Sequence, residues 1–382
     1  MKKTRKVNKK NNVTRKLNTQ KINELVKSYT PTINKLLEDV TTMPDEKELQ
    51  VNKVYNCKDP YFVNIKPQNK KCVKFTSKEA IKYQQQLLKM KPNYNNIQAP
   101  KQILSNCWFN AMFMSFFISD KGRIFTTMLR NIMITGIDGE GSKIPKNIHK
   151  DMYILNRCIQ QSFYNIKNKY TENTNNIIHS IYVDFLKELK RNSKYNTKTN
   201  DIIKNKLRDK NHTGNPIHYL TCICRFLKFD KINITMMKYI KERNIYELTR
   251  FIERNSKNKV PDILILMYKQ KTPIQDNISL KITLDNDYNI NNKNDNERKL
   301  TKYKLDSCIL ADNNSDHFMS FLTYNNNEYY FDGYTKSRMK KYNWKNKIQT
   351  DKDMIFQERN TSYKPQIFNF QKGLCYLIYY KT

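Results

Sequence analysis

Apolar residues fall into two textures along the chain. Before about residue 255 they recur every three or four positions, the repeat of helices with one buried face. The segment 77–90 is a clear case, with Ser77 at its start and Lys91-Pro92 ending it. In 107–118, Trp108, Phe109, Met112, Phe113, Phe116 and Phe117 predict a buried helix beginning at or near Cys107. Further helices are expected over 122–135, 147–170, 174–192 and 234–255, with a Gly-rich loop at 136–142 and a polar stretch, 193–216, looping out. From Val260 the texture turns to short β-branched and aromatic runs between turns: 263–268, 279–284, 303–310, 317–324, 328–332 and 374–380. Helices first and an antiparallel sheet second predict an α+β domain.

The polar stretches divide the chain. Residues 1–21 hold nine Lys/Arg and no acid, which predicts a disordered basic arm. Residues 22–100 form an N-terminal extension: short amphipathic helices broken near Pro31, short strands and turns over 51–72, the 77–90 helix, and a proline-bounded linker at 92–100. The main domain then runs from 101 to 382, with an Asn/Asp/Lys-rich surface loop inserted at 285–299.

Composition narrows the function. Only 7 glycines are present and neither GxxxxGK[ST] nor GxGxxG occurs, which argues against nucleotide chemistry, and no cofactor is expected. Seventy Lys/Arg against 35 Asp/Glu give a net charge of +35. Two readings of that charge stand. It suits a polyanion or nucleic acid, engaged above all through residues 1–21. It also suits codon usage in an AT-rich genome such as that of a large DNA virus, since Lys, Asn, Ile and Tyr dominate throughout. Eight scattered cysteines do not make a disulfide scaffold, no signal peptide is recognisable, and no apolar run has the roughly 18 residues of a membrane span. A soluble protein of a reducing, intracellular compartment (cytoplasm or nucleus of a host, or packaged in a virion) is expected, with no membrane partner.

Candidate chemistry centres on Cys107. A thiol at a helix N-terminus faces the positive end of the macrodipole, which favours thiolate. Gln102 carries an amide able to donate to an oxyanion. The alternative is a small buried hydrophobe. A nucleophilic cysteine needs a histidine, and of the five, His317 stands apart. It opens HFMSFLTY, a turn follows at Asn325–Asn327, and YYFD returns, which reads as a β-hairpin. A hairpin brings its open ends together, so His317 is expected beside Asp332, where a carboxylate orients an imidazole. The alternative there is an ordinary exposed histidine at a strand start. Cys222-Ile-Cys224 with His218 nearby reads as buried cysteines rather than a zinc site, and no metal is expected.

These residues resemble the ubiquitin-specific protease family of papain-like cysteine peptidases. The family's cysteine box, Asn-x-x-x-x-Cys-Tyr-x-Asn-Ser, is matched by Gln102-Ile-Leu-Ser-Asn-Cys107-Trp108-Phe109-Asn110-Ala111. Its histidine box, Gly-His-Tyr followed by Trp-Tyr-x-Phe-Asp-Asp, is matched by Asp316-His317-Phe318 and by Tyr329-Tyr330-Phe331-Asp332-Gly333. The strand motif Leu-Pro-x-x-Leu-x-x-x-Leu-Lys is similar to Val260–Lys269. A further run, Tyr303–Leu310, precedes the histidine, and Cys375–Tyr380 is similar to Ala-Tyr-x-Leu-x-Tyr. The sequence departs from the pattern at Gln102 (Asn in the family), Asp316 (Gly) and Gly333 (the second Asp), and it lacks the two CxxC pairs of the family's zinc ribbon.

The resemblance implies a papain-like fold, a helical subdomain packed on an antiparallel β subdomain. It implies Cys107 as nucleophile, His317 as general base and acid, Asp332 as the group orienting it, and Gln102 at the oxyanion. The implied substrate is the C-terminal tail of ubiquitin or a ubiquitin-like modifier, with a compact gripping region in the 210 residues between Cys107 and His317 (317 − 107). Two rivals remain: a basic structural or nucleic-acid-binding virion protein with a silent peptidase-like fold, and a protease maturing viral precursors.

Overall fold

The computed structural model describes residues 54–66, 69–89, 97–100, 102, 105–163, 174–191, 197–240, 245–250, 260–270, 278–285, 300–314, 316–334, 339–356 and 366–382. The arm expected at 1–21, the helices expected at 22–50 and the insertion beyond Asp285 lie outside these residues.

A small hairpin, β1 (Phe62–Lys66) with β2 (Lys71–Lys74), comes first. Cys57 and Cys72 are joined by a disulfide there, which departs from a uniformly reduced set of thiols; the other six cysteines are free. Helix α1 (Lys78–Leu88) begins as its sequence predicts, the Ser77 hydroxyl accepting from the Ala80 N–H at 3.2 Å. The helical layer follows: α2 (Cys107–Phe113), running on as a wider π turn over Met114–Ile118, α3 (Asp120–Phe125), α4 (Thr127–Thr135), α5 (Lys146–Phe163), α6 (Thr174–Arg191), α7 (Thr197–Lys206) and α8 (Pro216–Phe226). Arg157 of α5 ties the N-terminal hairpin to this layer, donating to Pro60 O at 2.7 Å and Tyr55 O at 3.4 Å.

Two expectations for this region need correction. The stretch expected to loop out, 193–216, contains α7, and Asn215 caps α8 by accepting from the Ile217 and His218 N–H groups, both at 3.0 Å. The helix expected over 234–255 is instead a pair of strands, β3 (Ile234–Ile240) and β4 (Ile245–Arg250). Ile234 and Met236 face one core and Met237 and Tyr239 the other, a period of two that sheet pairing imposes over a run also compatible with a helix.

The remaining strands are β5 (Ile263–Gln270), β6 (Lys281–Asp285), β7 (Leu300–Ala311), β8 (Phe318–Tyr324), β9 (Asn327–Phe331), β10 (Lys340–Lys341), the short pair β11 (Met354–Ile355) and β12 (Ile367–Phe368), and β13 (Gly373–Lys381), with helix α9 (Trp344–Lys347) between β10 and β11. Among the described residues the main sheet is nine-stranded in the order β10-β9-β8-β7-β13-β5-β3-β4, with β6 also pairing β7. It is not the purely antiparallel sheet expected, because β3 runs parallel to β5. The protein is thus α+β, a helical layer against a large mixed sheet.

The centre of that sheet is buried on both faces. Along β13, Tyr376, Ile378 and Tyr380 face the helices, whereas Cys375, Leu377 and Tyr379 join Phe321, Trp344 and Phe370 on the far side. This explains why LCYLIYY is apolar without alternation. The segments that resemble the protease family, apart from the cysteine box, occupy β5, β13, β7 and the β8–β9 hairpin, which are consecutive in the sheet.

Candidate active site

Cys107 is the first residue of α2, and every residue from it to Phe113 is buried. A helix apolar all round must be enclosed on all sides. Here β8 lies on one side and α8 on another, where Tyr219 meets Trp108 edge-on at 5.0 Å. The Trp108 indole N–H donates to His212 O at 3.3 Å, and Gly214 lies so close under the indole that a Cβ there would come within 2.5 Å of it. Asn106 and Asn110, on either side of the thiol, are joined through Thr174: Asn106 Nδ2 donates to its hydroxyl at 2.7 Å, and that hydroxyl donates to Asn110 Oδ1 at 3.3 Å. The sulfur is therefore fixed by packing before and after it in the chain.

His317 is positioned from the sheet. Asn325 and Asn326 both have positive φ, 48° and 59°, which suits a two-residue turn of the type that matches strand twist. That turn sets the β8–β9 register, and the open ends meet as expected: His317 Nε2 lies 2.8 Å from Asp332 Oδ1. Asp312 holds the histidine from behind, its Oδ1 accepting from the N–H groups of Asp316 at 2.7 Å and His317 at 3.0 Å. On the other ring nitrogen, Nδ1 is buried and makes no well-formed hydrogen bond among the described residues. The Cys107 side chain is nonetheless near enough to act on it. Burial disfavours the charged imidazolium, yet hydrogen bonding to Asp332 and Cys107 and the charges of both outweigh it, raising the His317 pKa to about 9.

The structure thus brings Cys107, His317 and Asp332 into one buried cluster. Gln102 joins them through Gly333, donating its backbone N–H to Gly333 O at 3.1 Å. Such an arrangement can hold a proton on the imidazole and leave the sulfur free to attack an electrophile. The centre is closed: Cys107, His317 and Asp332 are 5%, 1% and 6% exposed, whereas Tyr334, stacked on the His317 ring at 4.4 Å, is 60% exposed. The phenol is what solvent meets first.

Three contributors carried weak signals in the sequence. Asp312 opens an Asp-Asn-Asn stretch that favours side-chain-capped turns. Tyr334 is an aromatic just past the hairpin. Asp120 lies far away in the chain, yet its two oxygens accept from the Asn325 and Asn326 N–H groups, each at 2.9 Å. Cys222 and Cys224 lie buried on α8 with thiols pushed up to about 12, chiefly by burial, and among the described residues no group of three His, Cys, Asp or Glu is placed to hold a metal. No helix of the described residues is long and apolar enough to cross a membrane.

No family model matches the sequence, and no curated protein does. Solved structures do resemble it at low identity. A chain of the SAGA DUB module Ubp8/Sgf11/Sus1/Sgf73 bound to monoubiquitin is 9% identical, with a TM-score of 0.43 over 95% of this chain and 98% of that one. The same module bound to ubiquitin aldehyde gives 9% and 0.42 over 76% and 70%. The Saccharomyces cerevisiae PAN2 pseudoubiquitin-hydrolase gives 11% and 0.29 over 87% and 97%. Likenesses of this size leave the chemistry to the chain's own residues.

Proposed function

We propose that the chain is a cysteine peptidase or isopeptidase acting on the C-terminal tail of ubiquitin or a ubiquitin-like modifier. The observation that carries this reading is the buried His317–Asp332 pair with the Cys107 side chain near enough to raise the ring's pKa. In the reading, His317 accepts the thiol proton and the Cys107 sulfur attacks the scissile carbonyl, forming a C–S bond. Asp332 fixes the ring tautomer and stabilises imidazolium. The Gln102 amide and the Cys107 N–H donate to the tetrahedral oxyanion. Collapse breaks the C–N bond, and the leaving amine takes its proton from His317. Water, deprotonated by the same ring, then hydrolyses the thioester. No cofactor enters any step.

The substrate class is what the resemblance of the segments around Cys107 and His317 to the ubiquitin-specific protease family implies. The same reading puts the protein's work in the cytoplasm or nucleus of a host cell, where conjugates of that kind occur. The test is hydrolysis of a ubiquitin C-terminal fluorogenic amide, together with labelling by a ubiquitin-based suicide probe. Wild type should cleave and be labelled, and Cys107→Ala should do neither. Cleavage retained in Cys107→Ala sinks the reading. Activity on peptides but not on ubiquitin amides would make it a maturation protease instead. Absence of labelling, with salt-sensitive binding to DNA or RNA, would favour a silent basic protein.

A further inference from the structure

Gly333 follows the carboxylate that holds His317, and its missing side chain has a specific neighbour. A Cβ built there would lie 2.8 Å from Gln102 Cβ and 2.9 Å from Gln102 Oε1, with Asn110 Nδ2 at 3.5 Å. Carbon atoms pack best at about 3.5–4.0 Å, so the first two contacts are overlaps and the third is ordinary. Gln102 cannot simply withdraw, because its backbone N–H is bound to Gly333 O at 3.1 Å. Nor can Gly333 move freely. Asp332 precedes it, bonded to His317, and Tyr334 follows it, donating its N–H to Asp332 Oδ1 at 3.0 Å. The Gly333 φ is not in the left-handed region, so glycine is not required there by the backbone. Space alone is what glycine provides.

We infer that Gly333 is a positioning residue: its bare Cα makes the room in which the Gln102 side chain sits, so that residues 102 and 333 act as a matched pair across the centre. This rests on the oxyanion role given to Gln102 above. A methyl group at 333 pushes the Gln102 amide out of line while leaving the His317–Asp332 bond in place. Misplacing a donor aimed at developing charge weakens only the transition state, so kcat falls and KM holds.

The experiment is a double-mutant cycle in the full chain, with Gly333→Ala, Gln102→Gly and both together. Gln102→Gly removes the Cβ and the Oε1 that the new methyl would meet. With the ubiquitin amide, Gln102→Gly should cost about 10²–10³-fold in kcat. Gly333→Ala should cost at least about tenfold in kcat at unchanged KM. The pair should be no slower than Gln102→Gly alone, since no amide is left to displace. The alkaline limb of the pH–rate profile should not move in Gly333→Ala, which separates this role from damage to Asp332. Thermal unfolding gives a readout free of catalysis: Gly333→Ala should lower Tm in wild type and not in the Gln102→Gly background. Multiplicative losses in kcat, or a Gly333→Ala enzyme with full kcat, overturn the inference. A wild type without thiol-dependent hydrolysis overturns the role together with the proposed function, and the Tm coupling then tells the two apart by surviving as a packing contact only.

Discussion

The two arms of the centre are built by opposite means. The cysteine arm is placed by volume: from Cys107 to Phe113 every side chain of α2 is enclosed, and the aromatic rings of Trp108, Phe109 and Tyr219 pack edge to face. The histidine arm is placed by directed bonds: Asp312 grips the backbone before His317, Asp332 grips the ring, and Asp120 grips the far turn of the hairpin. Packing is non-directional and spreads a loss over many contacts, whereas a carboxylate removed from a buried ring leaves one group unsatisfied. The sulfur should therefore tolerate exchange of one apolar neighbour for another of similar size. The imidazole should not tolerate loss of its one carboxylate.

The largest effect should come from the ring itself. His317→Ala should lower kcat on the order of 10⁴-fold in a single-turnover assay of ubiquitin amide cleavage. Next comes a challenge to the volume side. Phe113→Ala, wholly buried in wild type, should cost about 3–5 kcal/mol in urea unfolding, with kcat per folded molecule changed far less. A result in which Phe113→Ala stayed stable but lost activity would reverse the contrast between the arms.

The directed side makes a prediction in pH. The folded His317 pKa stands raised to about 9 against an ordinary 6.5, so the folded state binds the ring proton more tightly than the unfolded chain. The stability this supplies is complete below pH 6.5 and is lost as pH rises through about 9. Its size is on the order of 3 kcal/mol. Asp332→Asn should flatten that decline, measured as unfolding free energy from pH 6 to 9.5. An unchanged slope would mean the carboxylate does not hold the charge. Asp120→Ala should cost only about 0.5–1.5 kcal/mol, because the two backbone N–H groups it releases are exposed and turn to water. The smallest effect is expected at Tyr334, where removing the stacked ring in Tyr334→Ala should speed modification of His317 by diethylpyrocarbonate a few-fold.

Legibility followed the range over which each feature is decided. The β8–β9 hairpin could be read because its turn and both strands lie within 317–332 and obey local rules. The Ser77 cap and the start of α2 at Cys107 could be read for the same reason. The helix expected over 234–255 gives way to strands because Met236, Met237 and Tyr239 suit either period, and the edge of β5 that β3 pairs with decides between them. The α7 helix lies in a polar stretch with few apolar positions to set a phase, so no local pattern announces it. The disulfide between Cys57 and Cys72 depends on the segment before β1 folding back on the hairpin, where the Asn64 N–H donates to Val54 O at 2.8 Å, and spacing alone does not give that.

The sequence by itself determined the kinds of side chain available for chemistry, the helix that carries Cys107 and the hairpin that joins His317 to Asp332, because short-range sterics and periodicity act on neighbours in the chain. Tertiary structure alone decided that the thiol meets the ring, that Asp120 clasps the distant hairpin turn and that Gln102 fills the space left by Gly333. Those contacts join residues hundreds of positions apart, and only the burial of α2 against the sheet brings them within a few ångströms.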